Sequence, residues 1–422
     1  MDYFDVNLDL TEEDLALKAA ANQFAREVIR PTAKALDDLT PEEVIADGSP
    51  LWPFLKKSYE LGYHKMLIPE AFGGMGLNPL QVHIVMEELA WGSFGLAVQL
   101  AVCSFVPYTA VFTGNEELIK EFTIPFCECT DGSIRSCWGG TEPGHGSDNI
   151  GMGEAFFHEP NVRTNCLAKR DGDEWVINGQ KAAWVSGGTI STHCQLHVQT
   201  DPDMGFAGFS IFLIPMDLPG CSKGKPLNKI GQRDLNQGEL FFEDVRVADK
   251  YRIIGPDMYG MMEEGILSLA NAWMATWATG LARAAYEEAL TYCKERVQGG
   301  RPLAEHYSIK QRIFEMFARV ETCRALSRAA VNLNMNIAPG FPEYSMAAKI
   351  TATKLCLYNA NDAIQLLGGN GLSKEYLPEK LFRDARATLI EDGNNEILAR
   401  HGGHTLFASY PRPRDTIPRI GG

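Results

Sequence analysis

The chain has no excess of basic residues: 39 Lys and Arg stand against 54 Asp and Glu, a formal net charge of -15 over 422 residues. That balance disfavours nucleic acid and anionic membrane as partners, and it leaves room for a local basic pocket around a phosphorylated ligand. There is no run of 18 apolar residues and therefore no expected membrane span. The opening MDYFDVNLDL is acidic and lacks the basic start and apolar core of a signal peptide. Low-complexity blocks and fixed-period repeats are also missing. The ten cysteines do not fall at metal-binding spacing, since the one close pair, Cys127 and Cys129, has no matching second pair. That pattern predicts reduced thiols, a cytoplasmic setting and no metal.

What is present is an ordinary globular composition, 45% hydrophobic, in a chain long enough for two or three domains. Thr11 and Asp14 predict a helix cap, and the helical pattern that follows is expected to stop at Pro31. Residues 41–62 read as helical, PEAFGGMGL at 69–77 as a glycine-rich turn, and the stretch from Pro79 to about Cys129 as apolar helix. The texture changes near Ser133. From there to about Val247 short β-rich runs alternate with turn residues, and Asn178-Gly179 within EWVINGQKAAWVS predicts a hairpin turn. After Pro256 helical spacing returns over roughly 257–298, 304–336, 342–368 and 379–406. The expected fold is α+β and mainly α: an N-terminal helical domain (1–132), a small central β domain (133–250), a C-terminal four-helix bundle (251–410) and a Pro/Arg-rich tail (411–422).

Four motifs carry chemistry. The stretch Gln365–Ile397, QLLGGNGLSKEYLPEKLFRDARATLIEDGNNEI, sets the acidic pair Glu391-Asp392 on a short loop between two helical patterns. A carboxylate held there suits a general base on a rigid frame. CWGGTEPGHGSD, Cys137–Asp148, offers hydroxyls and backbone N–H groups for a flavin or phosphate, with His145 serving loop geometry. KAAWVSGG, Lys181–Gly188, presents Trp184, an indole suited either to stack on a flat cofactor or to fill a core. KERVQGGRPLAEH, Lys294–His306, places Arg296 and Arg301 around a turn between helices.

In this order and on this helix–β–helix plan, the motifs resemble the acyl-CoA dehydrogenase family of flavoproteins over nearly the whole chain. The resemblance implies FAD as cofactor, a CoA thioester as substrate, an electron-transfer flavoprotein as acceptor, and a homotetramer built as a dimer of dimers. It implies flavin contacts at Thr141, Ser147, Trp184 and Ser186. Arg296, Gln365, Gly368 and Gly369 would reach the ADP half of the neighbouring subunit's FAD. Asn394 stands where a cofactor-contacting Thr is usual, and Gly299 where a Phe is common.

The departures bear on the substrate. The position of the usual catalytic Glu falls on Asp392, and Glu391 precedes it where an aromatic is common. The alternative base position of some members is Ala270, flanked by Ser268 and Asn271 in place of Asp and Arg. One methylene less on the base favours a branched, alicyclic or aromatic acyl group. Asn271, Trp273 and Trp91 are the expected walls and polar contact of its cavity. Glu391 as base, a non-standard elimination on an alicyclic acyl-CoA, and an acyl-CoA oxidase or desulfinase-like activity on the same fold are the alternatives. A flavin-bearing binding protein without turnover is the reading from another class, and only Arg412, Arg414 and Arg419 in the tail favour it.

Overall fold

The computed structural model describes residues 5–409. Its first helix, α1 (Glu12–Phe24), opens on a reciprocal cap. Thr11 Oγ1 accepts from Asp14 N at 3.1 Å, and the Asp14 carboxylate accepts from Thr11 N at 3.0 Å. Pro31 does not stop this helix, contrary to expectation. The chain widens into a π-turn at Ala25–Ile29 and resumes as Arg30–Asp37. Pro31 thus lies in the first turn of the resumed α segment, where a missing N–H costs nothing. The expected helix at 41–62 is two pieces, Pro41–Ile45 and Leu51–Glu60. Next come α2 (Pro79–Gly92) and α3 (Phe94–Cys103), both almost wholly buried.

The sheet follows. Its strands are β1 (Ser136–Gly139), β2 (Leu167–Asp171), β3 (Glu174–Ser186), β4 (His193–Gln199), β5 (Phe209–Pro215), β6 (Cys221–Pro226), β7 (Gln237–Ala248) and β8 (Arg252–Ile254). They lie in the order β6-β7-β3-β2-β4-β5-β8, with β1 pairing in parallel on β4. The hairpin turn is not at Asn178-Gly179. It lies between Asp171 and Glu174, and β3 runs straight through the dipeptide with a register shift between Ile177 and Gly179. The pair is a bulge. Asn178 Oδ1 accepts from Asp244 N at 2.9 Å and its Nδ2 donates to Asp244 Oδ1 at 3.0 Å, and Gly179 has a φ of 135°, where a Cβ would sit 2.5 Å from Cys166 Cα.

The remainder is helical: α4 (Pro256–Glu295), α5 (Tyr307–Asn336), α6 (Pro342–Leu367), α7 (Pro378–Thr388) and α8 (Asn395–Ser409). The fourth expected helix, 379–406, is therefore split in two by a loop. Two hydrogen bonds fix how α4 and α6 pack. Ser345 Oγ donates to Ser268 O at 2.5 Å and Asn359 Nδ2 to Ala282 O at 3.3 Å, both across a separation of 77 residues. A constant offset means that the two helices run parallel and in register. Alanines 272, 275, 278, 282, 285 and 289 are buried along α4 and let its neighbours come close. At Gly280 a Cβ would sit 2.3 Å from Glu87 O, so only glycine allows α2 this approach. One apolar core runs through the N-terminal helices and the bundle, and a second fills the sheet.

Among the described residues no single helix is long and apolar enough to cross a membrane. The same residues hold no cluster suited to a metal, and all ten cysteines are free thiols. The Pro/Arg-rich tail of the sequence reading lies outside the described residues.

Candidate active site

The loop between α7 and α8 turns through two left-handed residues, Asp392 at φ 50° and Gly393 at φ 85°. A non-glycine residue held there is strained, and such strain persists only where the surroundings fix it. Three anchors do so. Lys349, fully buried on α6, donates from Nζ to Gly393 O at 2.8 Å and to Asn395 Oδ1 at 2.9 Å. Ser147 Oγ accepts from Asn394 N at 3.0 Å. Asn394 Oδ1 in turn accepts from Ile397 N at 2.9 Å and caps α8. Ser147 and Asn394, 247 positions apart in sequence, are thereby brought together.

The two loop carboxylates have different surroundings. Gln232, on the segment between β6 and β7, donates from Nε2 to Glu391 Oε1 and from its backbone N to Asp384 Oδ1. Asp392's carboxylate makes no hydrogen bond among the described residues. Burial pushes the Asp392 carboxyl up to about 6 against the opposing pull of Lys349. Burial pushes Glu391 up to about 7, with the adjacent Asp392 charge adding to the rise. Burial also draws Lys349 down to about 8, and the charges of Asp392, Glu391 and Glu396 oppose that fall. Lys229 is likewise drawn down to about 8, and its Nζ contacts Leu235 O and Gln237 Oε1.

The glycine-rich loop is ordered by its own side chains. His145 Nδ1 lies 2.8 Å from Asp148 Oδ2, and Asp148 Oδ1 accepts from Gly146 N at 2.7 Å. Thr141 O accepts from Ala182 N at 2.9 Å, which ties the loop to β3. A register shift between Lys181 and Val185 bends β3 here, and Trp184 stands 57% exposed. Ser186 Oγ accepts from Gln237 Nε2 at 3.1 Å. Around the neighbouring Gly187, the buried Gln99 Oε1 and Ser136 Oγ have no partner among the described residues. Exposed indole, open glycine loop and orphaned polar atoms fit the flat, polar cofactor that the motifs imply.

The other implied cofactor residues gather elsewhere. Arg296, Gln365, Gly368 and Gly369 line a cavity of about 390 Å³ together with Tyr292 and Asn370. Both glycines face open space. This cavity is at the C-terminal ends of the parallel α4 and α6, roughly 30 Å along the bundle from the level of Lys349 at 1.5 Å per residue.

Of the expected substrate contacts, Asn271 is fully buried with neither amide atom bonded among the described residues. Trp273 is buried edge-on to Tyr108, its Nε1 without a partner among the described residues. Trp91 belongs to a different network: its Nε1 donates to Glu287 Oε2 at 2.9 Å and the Arg30 guanidinium lies 3.6 Å over its ring. Lys349 and Gln232 escaped the sequence reading. A lysine set among buried alanines on α6 was the available signal for Lys349; Gln232 gave none.

Three family models match the chain: acyl-CoA dehydrogenase N-terminal domain over residues 11–129, middle domain over 137–245, and C-terminal domain over 262–407. The chain is 31% identical to the human short-chain specific acyl-CoA dehydrogenase, mitochondrial, over 406 residues, covering 96% of this chain and 92% of the relative. It superimposes on butyryl-CoA dehydrogenase from Megasphaera elsdenii with a TM-score of 0.82 at 26% identity, covering 96% of this chain and all of that one. A chain from the electron transferring flavoprotein of Acidaminococcus fermentans gives the same TM-score at 27% identity, covering 96% and 99%.

Proposed function

The chain belongs to the acyl-CoA dehydrogenase family, and from that premise we propose that it oxidises a branched, alicyclic or aromatic acyl-CoA with Asp392 as the base. Members of the family are FAD-dependent oxidoreductases acting on CH–CH bonds, and this chain is such an enzyme. When bound, FAD supplies the acceptor for the hydride that leaves the β carbon. Thr141, Ser147, Trp184 and Ser186 are the residues that would hold its flavin end.

The protein's own part is proton transfer and positioning. Asp392 takes the proton from the carbon α to the thioester carbonyl, and its backbone N–H, unpaired among the described residues, is a donor for the carbonyl oxygen as negative charge develops there. Burial raises the Asp392 carboxyl to about 6, close enough to neutrality for an effective base that is still ionised at pH 7. The observation that carries this assignment is the contrast within the pair. The Glu391 carboxylate is held by Gln232, whereas that of Asp392 accepts no hydrogen bond among the described residues. A shorter base leaves space that a ring or branch at the α carbon would fill. An electron-transfer flavoprotein is the proposed acceptor, a dimer of dimers the proposed assembly, and the free thiols fit a reducing, cytoplasmic compartment.

The test is flavin absorbance under anaerobic conditions with linear, branched, cyclohexane-type and aryl-substituted acyl-CoA thioesters. Ring-bearing thioesters are expected to bleach the flavin, and Asp392→Asn to slow the bleaching by roughly 10²- to 10⁴-fold. Bleaching by linear thioesters alone would overturn the substrate assignment. Unimpaired reduction by Asp392→Asn would overturn the base.

A further inference from the structure

Asn271 is an anomaly. A carboxamide with no exposed surface whose oxygen and nitrogen both lack partners among the described residues is a costly arrangement, and most buried polar side chains avoid it. The fold shows where this group points. One turn earlier on the same helical stripe, Leu267 packs with Ile150, Met346, Ile397 and Leu398. The last two belong to α8, the helix that begins directly after the Asp392 loop. The parallel register of α4 and α6 sets Ala348 level with Asn271, and the next residue, Lys349, holds Gly393 O at 2.8 Å. Asn271 therefore faces the ground between α6 and α8 where the base loop lies.

Resting on the reading of this chain as an acyl-CoA dehydrogenase, we infer that its acyl group carries a neutral hydrogen-bonding substituent, a hydroxyl or an oxo group, which the Asn271 carboxamide recognises. The carboxamide donates from nitrogen and accepts at oxygen, so it satisfies a hydroxyl in either direction and an oxo group through its donor. A carboxylate substituent is disfavoured by the charges around the site. Glu391 and Asp392 on the loop, Glu264 two turns back on α4 and Glu343 at the start of α6 are all acidic. Lys349, the buried cation level with Asn271, is committed to Gly393 and Asn395, and Lys229 on the sheet side is committed to Leu235 O and Gln237 Oε1. A plain hydrocarbon ring would leave the carboxamide unpaired, and sites built around a polar partner reject analogues that lack it.

The experiment titrates the anaerobic holoenzyme with cyclohexane-1-carbonyl-CoA and with its ring-hydroxylated and ring-oxo analogues, following flavin absorbance. At least one substituted thioester is expected to half-saturate at a concentration about tenfold or more below the unsubstituted one. Asn271→Leu should bring the two within about twofold, chiefly by weakening the substituted thioester. Equal half-saturation in the unmodified enzyme, or discrimination that survives in Asn271→Leu, would overturn the inference and leave Asn271 to a bound water. If thioesters perturb the flavin spectrum without bleaching it, the dehydrogenase reading fails, and the ratio of half-saturations still decides the role of Asn271. Should Asn271→Leu not fold, Asn271→Ser takes its place, and the ratio in the unmodified enzyme decides on its own.

Discussion

Lys349 is the residue on which the geometry and the electrostatics of the loop both depend. Its ammonium fixes Gly393 O, which holds Asp392 in a left-handed backbone, and its charge favours the ionised form of the same Asp392. The groups facing that carboxylate are Lys349 from α6 and Glu391 beside it, with Gln232 and Lys229 reaching Glu391 from the sheet side. As the proposed base, Asp392 must be ionised to accept a proton, so kcat/KM should fall as pH drops through about 6. Lys349→Met removes the favourable charge and should move that acidic limb upward by roughly one unit, a shift read from the pH profile. Simple damage to the loop would lower the plateau and leave the limb in place. Stability follows the opposite course. The folded Asp392 binds its proton more tightly than the unfolded chain does, with a value of about 6 against 3.8, so its contribution falls as pH rises through that window. Activity thus needs the state that the fold tolerates less well.

At the scale of elements, α2 is the piece that joins the N-terminal helices to the bundle, through charges as well as apolar contact. Glu87 Oε1 accepts from Arg283 of α4 and from Arg324 of α5, each at 2.8 Å, and Glu88 pairs with Arg283 and Asn22. Burial raises the Glu87 carboxyl, but the two guanidiniums outweigh it and hold the group well below the usual range. Glu87→Gln leaves Arg283 and Arg324 under-compensated in the interior and should cost about 3–5 kcal/mol in urea unfolding. A change below about 1 kcal/mol would mean that the network is solvated. The sequence shows only some of this. The Thr11 cap, the β-rich middle and the loop at Asp392 are local patterns, and local patterns are legible. Pro31 and Asn178-Gly179 misled because each has two structural uses, a stop or a π-turn resumption, a hairpin or a bulge. Tertiary contacts chose between them: Asp244 opposite Asn178, and Cys166 against Gly179. Gln232 reaches Glu391 across 159 positions, and no window of sequence shows such a pair.

At the scale of the whole molecule, the two groups of implied cofactor residues cannot serve one FAD in the same way. Ser147 touches the base loop directly, whereas Arg296 and Gln365 line a cavity at the far end of the parallel α4 and α6, roughly 30 Å away at 1.5 Å per residue. A second copy in a two-fold arrangement, each chain lending its Arg296 end to the other's flavin, is the proposed completion of such a site. Complementation tests this. Asp392→Asn keeps Arg296 but lacks the proposed base, and Arg296→Glu keeps that base but would repel the cofactor's phosphates. Each variant alone should be inactive. In a hybrid dimer the Asp392 of one chain meets the Arg296 of the other, and one of the two sites is whole. Random pairing after co-expression should then restore about a quarter of the activity per active site, because half the dimers are hybrids with one good site each. If Arg296 serves its own chain, the hybrid has no intact site and the mixture stays inactive. Separately tagged variants, purified through both tags, give hybrids free of the parent dimers, and flavin content per chain in that sample shows whether the lent arginine holds the cofactor.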